Sequence, residues 1–397
     1  MADRVTVIGW DGRPPTDTAR SAIGAATLVA GARHLLALPD VPDHAERVLL
    51  GSIDLAARRI ASHRGTAVVL ADGDPGFFGI VRALRKPEHG LEVEVVPGVS
   101  SVARAFARVG MPWDDARIVV AHRRTLRRAV NVIRAYPKVA VLTAPGAGPA
   151  ELALMLGRVH RTFVICEALD TPREEVSVLT SDKVADHSWR DPNVVLVVGG
   201  ASSAEGTGWI AGQEPGYPGL LRGWALPAGE YGASADAPAQ LRALQLARLG
   251  PRTGDLMWDI GAGSGAATVE AARFGAAVIA VDRDAHACGC IIANARRHCV
   301  QPQVVHGTAP HVLEDLPEPD IVRIGGGGAA VVVACAARRP ERIVTSATTR
   351  DEAEAVGRAL VQGGYTVERS LLQSVELDDE WCESERTTIF LLYGHRV

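Results

Sequence analysis

The sequence predicts an α/β protein built from two sheet-centred domains, and three observations carry that expectation. The chain has 397 residues, more than a single hydrophobic core usually holds. Short β-branched runs alternate with helical patterns along most of its length, as in largely parallel sheets flanked by helices. Glycine turns recur where those runs end, the position at which open α/β sheets bind ligands.

In the first half the pattern predicts strands at 5–9, 67–71, 92–96, 117–121, 138–142, 162–166 and 193–198. Helices are expected over 16–30, 77–86, 100–108, 126–135 and 149–157. A stretch rich in Gly, Ser and Pro without periodicity then interrupts the pattern, a linker composition. The predicted organisation is therefore a first domain over 1–199, a linker over 200–222 and a second domain over 223–397. After the linker, a helix at 237–249 precedes seven strands: 255–260, 277–281, 303–306, 320–324, 342–345, 365–372 and 387–392. A long hairpin-like connection through 378–385 makes the last strand antiparallel.

Composition excludes several function classes. Hydrophobic residues at 47% and charged residues at 22% suit a soluble globular protein. A net charge of −4 gives no reason to expect binding to nucleic acid or to an anionic membrane surface. No apolar run approaches the ~18 residues of a membrane span. The N-terminus enters a strand without a signal-peptide core, so a cytoplasmic protein is expected. Six cysteines are too few for a disulfide scaffold and should be thiols. Cys288, Cys290 and Cys299, with His286 and His298, fall on or beside a predicted helix at 285–298 where i and i+2 point apart, so no metal site is expected.

The strongest local signal is Asp259-Ile-Gly261-Ala-Gly263-Ser-Gly265-Ala, between a strand and a helix. Glycines there let the backbone turn sharply, approach a ligand and present N–H groups at a helix start. Asp282 ends the next strand, 21 residues after Gly261, about the offset at which a carboxylate accepts ribose hydroxyls. Gly261, Gly263 and Ala266 also satisfy the dinucleotide pattern, so an NAD-dependent oxidoreductase is an alternative. Asp259 favours the cationic amino group of S-adenosylmethionine, since beside a pyrophosphate it would repel.

Residues 256–328, with Trp-Asp-Ile-Gly-Ala-Gly-Ser-Gly, Ala-Val-Asp-Arg-Asp, Gly-Thr-Ala-Pro and Ile-Gly-Gly-Gly-Gly, resemble the decarboxylating precorrin methyltransferase domain, a seven-stranded Rossmann-like fold. The resemblance implies that Gly261, Gly263, Gly265 and Asp282, with Ala309 nearby, hold the methyl donor. It also implies that the run 325–328 leaves room for a large flat substrate. The family carries Gly-Asp-Ala-Pro where this chain has Gly307-Thr308-Ala309-Pro310, so a hydroxyl stands where a carboxylate is expected near the adenine. The segment 230–238, reading Glu-Tyr-Gly-Ala-Ser-Ala-Asp-Ala-Pro, lacks the family's His and Thr-Lys pattern. The ending from Trp381 also departs from it.

The first half carries three turns after strands: Gly9-Trp-Asp11-Gly12, Gly73-Asp74-Pro75-Gly76 and Pro97-Gly98-Val99-Ser100-Ser101. With Val29-Ala-Gly-Ala-Arg-His34, Met111-Pro-Trp-Asp-Asp-Ala-Arg117 and Val141-Leu-Thr-Ala-Pro145, these resemble the tetrapyrrole methylase family over nearly all of the first 200 residues. The donor cleft then falls on Gly9, Gly73, Asp74, Pro75, Ser100 and Ser101. His122, Arg123, Arg124, Arg127 and Arg128 read equally as partners for substrate carboxylates or as a solvated helix start. His34 reads as a capping or packing residue.

Both halves in one chain and in this order resemble the precorrin-6Y C5,15-methyltransferase family. That resemblance implies two methyl transfers from S-adenosyl-L-methionine, one site per domain, to C5 and C15 of a corrinoid precursor. It further implies decarboxylation of the ring C acetate, giving precorrin-8X on the route to cobalamin. The partner is precorrin-6Y or its cobalt form, and a homo-oligomer is expected. No catalytic side chain is singled out. A non-catalytic tetrapyrrole-binding protein is the second alternative.

Overall fold

The computed structural model describes residues 4–77, 79–199, 224–232 and 238–396. None of its helices is long and apolar enough to cross a membrane. Contacts divide the chain into two compact units, one drawn from 1–113, 164–177 and 189–196, the other from 114–163, 178–188 and 197–397.

The first unit begins with β1 (Arg4–Trp10), α1 (Asp17–Gly24), β2 (Leu28–Gly31), α2 (Arg33–Leu36), β3 (Glu46–Leu49) and α3 (Ile53–Ala61). β4 (Ala67–Asp72), α4 (Ile80–Leu84), β5 (Glu92–Val96) and α5 (Ser101–Arg108) follow. Their strands form a parallel sheet in the order β3-β2-β4-β1-β5. Alternate residues of the central strands serve opposite faces. Ile8, Val29, Val68 and Leu70 pack under α1. Val5, Val7, Leu28, Ala30 and Val69 pack with Ile60 of α3 and Leu84 of α4. The helix expected over 16–30 stops at Gly24 and gives way to β2. All four residues of Leu-Val-Ala-Gly are buried, and a short apolar run buried on both faces has no period to separate strand from helix.

The next elements are β6 (Arg117–Val120), α6 (Leu126–Ala135), β7 (Lys138–Leu142) and α7 (Pro149–Leu156). After them come β8 (Thr162–Glu167), β9 (Glu175–Thr180), α8 (Ser181–Val184) and β10 (Asn193–Val198). β6 and β7 pair in parallel.

The seven-stranded sheet expected of the C-terminal half is present. It comprises α9 (Ala239–Leu249), β11 (Leu256–Ile260), α10 (Ala266–Arg273), β12 (Ala277–Asp282), α11 (Ala285–Arg297), β13 (Gln303–His306) and β14 (Ile321–Ile324). α12 (Gly328–Ala337), β15 (Arg342–Ala347), α13 (Arg350–Gln362), β16 (Thr366–Leu377) and β17 (Glu383–His395) complete it. Strand order is β13-β12-β11-β14-β15-β17-β16, parallel up to β15 and antiparallel beyond. Leu256, Trp258 and Ile260 join one core with Val332, Cys335 and Leu360. Met257 faces the other, with Leu246 and Leu249 of α9. The Trp258 indole is 0% exposed and donates to Pro317 O at 3.1 Å. The connection expected over 378–385 is shorter: the last two strands run on to Leu377 and from Glu383. Asp378 Oδ1 accepts from the amides of Glu380 and Cys382, both at 2.9 Å, and this side-chain-anchored turn joins the strands tightly.

The compact units do not part where the sequence places a linker, and 200–222 lies outside the described residues. α6 instead bonds to the C-terminal sheet within the second unit. Asn131 donates to Gly254 O at 3.0 Å, and Arg127 pairs with Asp320 at 2.7 Å. Arg127 is thereby committed to the fold rather than to a substrate.

One buried cluster organises the entry to the C-terminal sheet. The Glu270 carboxylate accepts from the amides of Ala225 and Leu226, from the Tyr231 hydroxyl and from Arg242 Nε, at 2.8–3.0 Å. Both members of the Arg242–Glu270 pair are almost fully buried. Burial, then the Glu270 charge, pushes the Tyr231 phenol above its ordinary pKa. Glu270→Ala should cost about 3–5 kcal/mol, because it strands a buried guanidinium, and Glu270→Gln should cost less. Urea unfolding of the full chain monitored at its tryptophans reads this, and unchanged midpoints would refute it.

Candidate active site

In the C-terminal half, β11 delivers a loop whose glycines adopt left-handed backbone, with φ of 67° at Gly261, 58° at Gly263 and 80° at Gly265. A Cβ on Gly265 would lie 2.9 Å from Ile291, and one on Gly325 would lie 2.5 Å from Gly261 O. The loops after β11 and β14 therefore touch main chain to main chain. Asp282 closes the loop from the side, its Oδ2 accepting from Gly263 N at 2.9 Å and its Oδ1 from Asp284 N at 3.0 Å.

Two cavities open around these residues. The larger, about 440 Å³, is lined by Gly261, Gly263, Asp282, Arg323, Gly326 and Glu352, among others. The smaller, about 250 Å³, is lined by Gly261, Asp282, Thr308, Ala309, Gly326 and Val331, among others. Asp282 and Gly326 border both, so one elongated ligand can lie across the loop with the Asp282 carboxylate at its middle. Thr308 and Ala309 sit in the smaller cavity. Of the run 325–328, Gly326 faces open space, whereas Gly325 is required by contact with Gly261 and Gly327 by contact with Val331. Room for a substrate is at most part of that run's purpose.

Asp259 is a correction. Its side chain is 0% exposed and lines neither cavity. Oδ1 accepts from Arg323 Nη1 at 2.7 Å and Oδ2 from the Thr268 hydroxyl at 2.6 Å. Arg323 Nε in turn donates to Gln245 Oε1 at 2.9 Å. A carboxylate already neutralised inside the fold cannot meet a ligand's ammonium. What reaches the cavity is the partly exposed Arg323 head and, opposite in charge, Glu352.

Glu352 was not singled out from the sequence, although a signal exists. Thr349-x-x-Glu352 is a capping-box spacing at the start of α13. Thr349 Oγ1 accepts from Glu352 N at 3.3 Å, but the reciprocal bond from the Glu352 carboxylate is absent among the described residues. Its carboxylate therefore has no partner there while lining the cavity.

Two thiols of this half, Cys288 and Cys335, are buried. Burial, followed by the charges of Asp282 and Asp284, raises the Cys288 pKa. Burial pushes Cys335 up to about 12. Of the segment 230–238, the Glu230 carboxylate pairs with Arg297 at 3.1 Å, and 233–237 lies outside the described residues.

In the first unit the three turns converge at the carboxyl ends of β1, β4 and β5. A Cβ on Gly9 would sit 2.3 Å from Gly73 O, 2.5 Å from Gly98 N and 2.9 Å from Pro75. Gly73, at φ 69°, abuts the start of α5: a Cβ there would lie 3.0 Å from Ser101 N and 3.1 Å from Ser100 Cα. The structure thus brings Gly9, Gly73, Pro75, Ser100 and Ser101 together. Two of the polar groups are engaged locally, since Ser100 Oγ accepts from Ala103 N at 3.1 Å and Asp74 Oδ1 from Gly76 N at 2.8 Å. Asp11 ties the first and third turns, with Oδ2 accepting from Val99 N at 3.4 Å.

A cavity of about 690 Å³ in this unit is lined by none of those six residues but by Trp10, His34, Asp72, Arg104, Asp170 and Arg190, among others. His34 Nε2 lies 2.9 Å from Asp72 Oδ1, on the cavity wall. Arg104 and Arg108 pair with Asp170, and Arg108 also with Glu174. That cluster escaped sequence reading because its members lie about 62–66 residues apart. Only the turn at Leu169-Asp170-Thr171-Pro172, with Asp170 at φ 60°, hints at it.

Comparison with known proteins now places the chain. Residues 16–185 match the model of the family described as Tetrapyrrole (Corrin/Porphyrin) Methylases, and residues 237–377 match that of the Precorrin methyltransferase domain. The chain is 31% identical over 323 residues to the precorrin-6Y C(5,15)-methyltransferase [decarboxylating] of Sinorhizobium sp, covering 78% of this chain and 74% of that protein. It is 34% identical over 178 residues to the cobalt-precorrin-7 C(5)-methyltransferase of Salmonella typhimurium, covering 43% of this chain and 85% of the relative. It is 35% identical over 164 residues to a probable cobalt-precorrin-6B C(15)-methyltransferase (decarboxylating) of Pyrobaculum calidifontis, covering 40% and 77%. With its two glycine-turn clusters on parallel sheets and this similarity across both halves, the chain belongs to the precorrin-6Y C(5,15)-methyltransferase [decarboxylating] family.

Proposed function

We propose that this chain methylates a precorrin at C5 and C15 and decarboxylates its acetate side chain, using S-adenosyl-L-methionine bound once in each half. The observation that carries this reading is the 31% identity over 323 residues to a relative named for both transfers. Separate relatives named for C(5) and C(15) transfer, each spanning about the length of one half, support a division of labour across 200–222.

The chemistry asks little of ionisable side chains. In each transfer the sulfonium carbon–sulfur bond breaks as a bond to an electron-rich ring carbon forms, and the electron pair leaves on sulfur. Alignment and exclusion of water then supply the rate. In the second half Asp282 would accept the ribose hydroxyls while holding Gly263, Thr308 and Ala309 would flank the adenine, and Glu352 would face the donor's ammonium in place of Asp259. Arg323, held by Asp259 and Gln245, would present its remaining donors to a carboxylate. In the first half, backbone of the three turns would form the donor floor, and the cavity carrying Arg104 and Arg190 would receive the substrate's acidic periphery.

Full-length protein should bind two equivalents of S-adenosylhomocysteine by calorimetry. A single equivalent, or tighter binding of NADH, would count against the reading. Asp282→Ala should weaken the second-half site by ~1–3 kcal/mol through loss of a charged acceptor. Glu352→Gln should weaken the same site and leave the other untouched. Asp259→Asn should instead lower thermal stability, because it removes the buried charge that holds the Arg323 guanidinium.

Division of labour is read from products. Gly73→Val should remove C5 methylation by displacing Ser100 and Ser101 at the start of α5 rather than by entering the cleft. Carbon dioxide release should survive that change and be lost with Asp282→Ala. Mass spectrometry separates an added methyl from a lost carboxyl, and decarboxylation that followed the Gly73 variant would reverse the assignment.

A further inference from the structure

A third cavity, about 370 Å³, lies within the second unit and away from the glycine loops. It touches the first residues of β11, β12 and β13, namely Leu256, Ala277 and Gln303, and so sits at the amino edge of the sheet. Its wall on the sheet side is apolar, with Leu256, Val278, Ile279, Val300 and Val304. Its other residues include four arginines, Arg134, Arg158, Arg161 and Arg296, and no Asp or Glu.

Two of these guanidinium groups are already inside the protein. Arg161 is 8% exposed, and among the described residues its guanidinium donates to neutral acceptors, His160 O at 3.0 Å, Arg134 O at 3.3 Å and Gln301 Oε1 at 3.3 Å. Arg134 donates to Met155 O at 2.8 Å and Leu156 O at 2.9 Å, at the end of α7. The Nε atoms of both are buried without a hydrogen-bond partner among the described residues. Burial pushes Arg134 down to about 10, the neighbouring Arg161 charge acts in the same direction, and burial lowers Arg161 as well. The side chains of Arg158 and Arg296 form no hydrogen bond or ion pair among the described residues.

Two desolvated guanidinium groups, with two exposed ones beside them and no acid lining the cavity, are a costly arrangement unless an anion completes it. Carbonyl capping by Arg134 and Arg161 explains why those two side chains are held, but not why two further unpaired arginines converge on the same space. We infer that this cavity is a binding site for a small organic oxyanion, a phosphate or carboxylate whose apolar body rests on the β11–β13 edge. Guanidinium forks suit both head groups through paired donors. The site is separate from either donor cleft, so its occupancy would act on the second unit's stability rather than on methyl transfer directly.

The test uses the full chain saturated with S-adenosylhomocysteine and titrated with inorganic phosphate or benzoate, against chloride at matched ionic strength. Saturable binding is expected for at least one probe, with a raised unfolding temperature, and the preferred probe identifies the head group. The exposed pair Arg158→Gln/Arg296→Gln should weaken that binding about tenfold or more, as loss of charge-assisted bonds predicts. Arg161→Gln should abolish it. If Arg161→Gln does not fold, the rim pair still decides. Neither probe exceeding the chloride control, or binding unchanged in the rim variant, would overturn the inference. So would a rim variant whose unfolding temperature falls equally with and without phosphate.

Discussion

Contact of main chain with main chain at the carboxyl ends of the strands is the constraint on which both halves depend. In the first unit Gly9, Gly73 and Gly98 come so close that a single added methyl on Gly9 would overlap two neighbouring backbones. In the second half Gly261 and Gly325 meet in the same way. The consequence is electrostatic as well as steric. A floor made of peptide groups presents N–H donors and dipoles of fixed direction, with no side-chain freedom to lose when a ligand arrives.

The polar side chains nearest these floors work mainly on the protein itself. Asp282 holds a loop amide, Ser100 caps α5, Asp74 closes its own turn, and Asp11 links two turns. This double service explains why the glycine turns were legible in the sequence while the surroundings of one charge were not. A carboxylate just before a glycine loop can point along the sheet's ligand edge or into its face. Alternation along β11 decides the matter: Leu256, Trp258 and Ile260 take one core, leaving Met257 and Asp259 for the other side, where Arg323 waits on β14. The register Asp259↔Arg323 across two parallel strands makes the pair, and a partner 64 residues away carries no local signal.

The same distinction runs through the rest of the fold. Elements with a period or a turn signature were legible: α6 spans the expected 126–135, and the seven C-terminal strands lie where the sequence places them. β2 was not, because a short run buried throughout has no period, and β3 was not read either. The Arg104–Asp170–Arg108–Glu174 network and the Glu270 cluster were not either, since each joins residues distant in sequence. Glu352 was visible as a capping-box residue, but only the structure shows that its carboxylate leaves the cap unmade and lines the cavity.

The boundary between halves illustrates a further limit of composition. Gly, Ser and Pro mark where a chain lacks a core, not which cores it separates. α6 lies on the N-terminal side of 200–222, yet Asn131 bonds to Gly254 O, and Arg127 and Asn131 both reach Asp320. Asp320 also accepts from Leu256 N at 2.7 Å, at the first residue of the strand that carries the glycine loop. Asp320 thus accepts from α6 at both oxygens, from Arg127 at Oδ1 and Asn131 at Oδ2, and shares Oδ2 with the start of β11. Tilting α6 would disturb Asp320, and through it the strand that delivers Gly261. Excising 223–397 would leave Asp320 without two of its donors, Arg127 and Asn131.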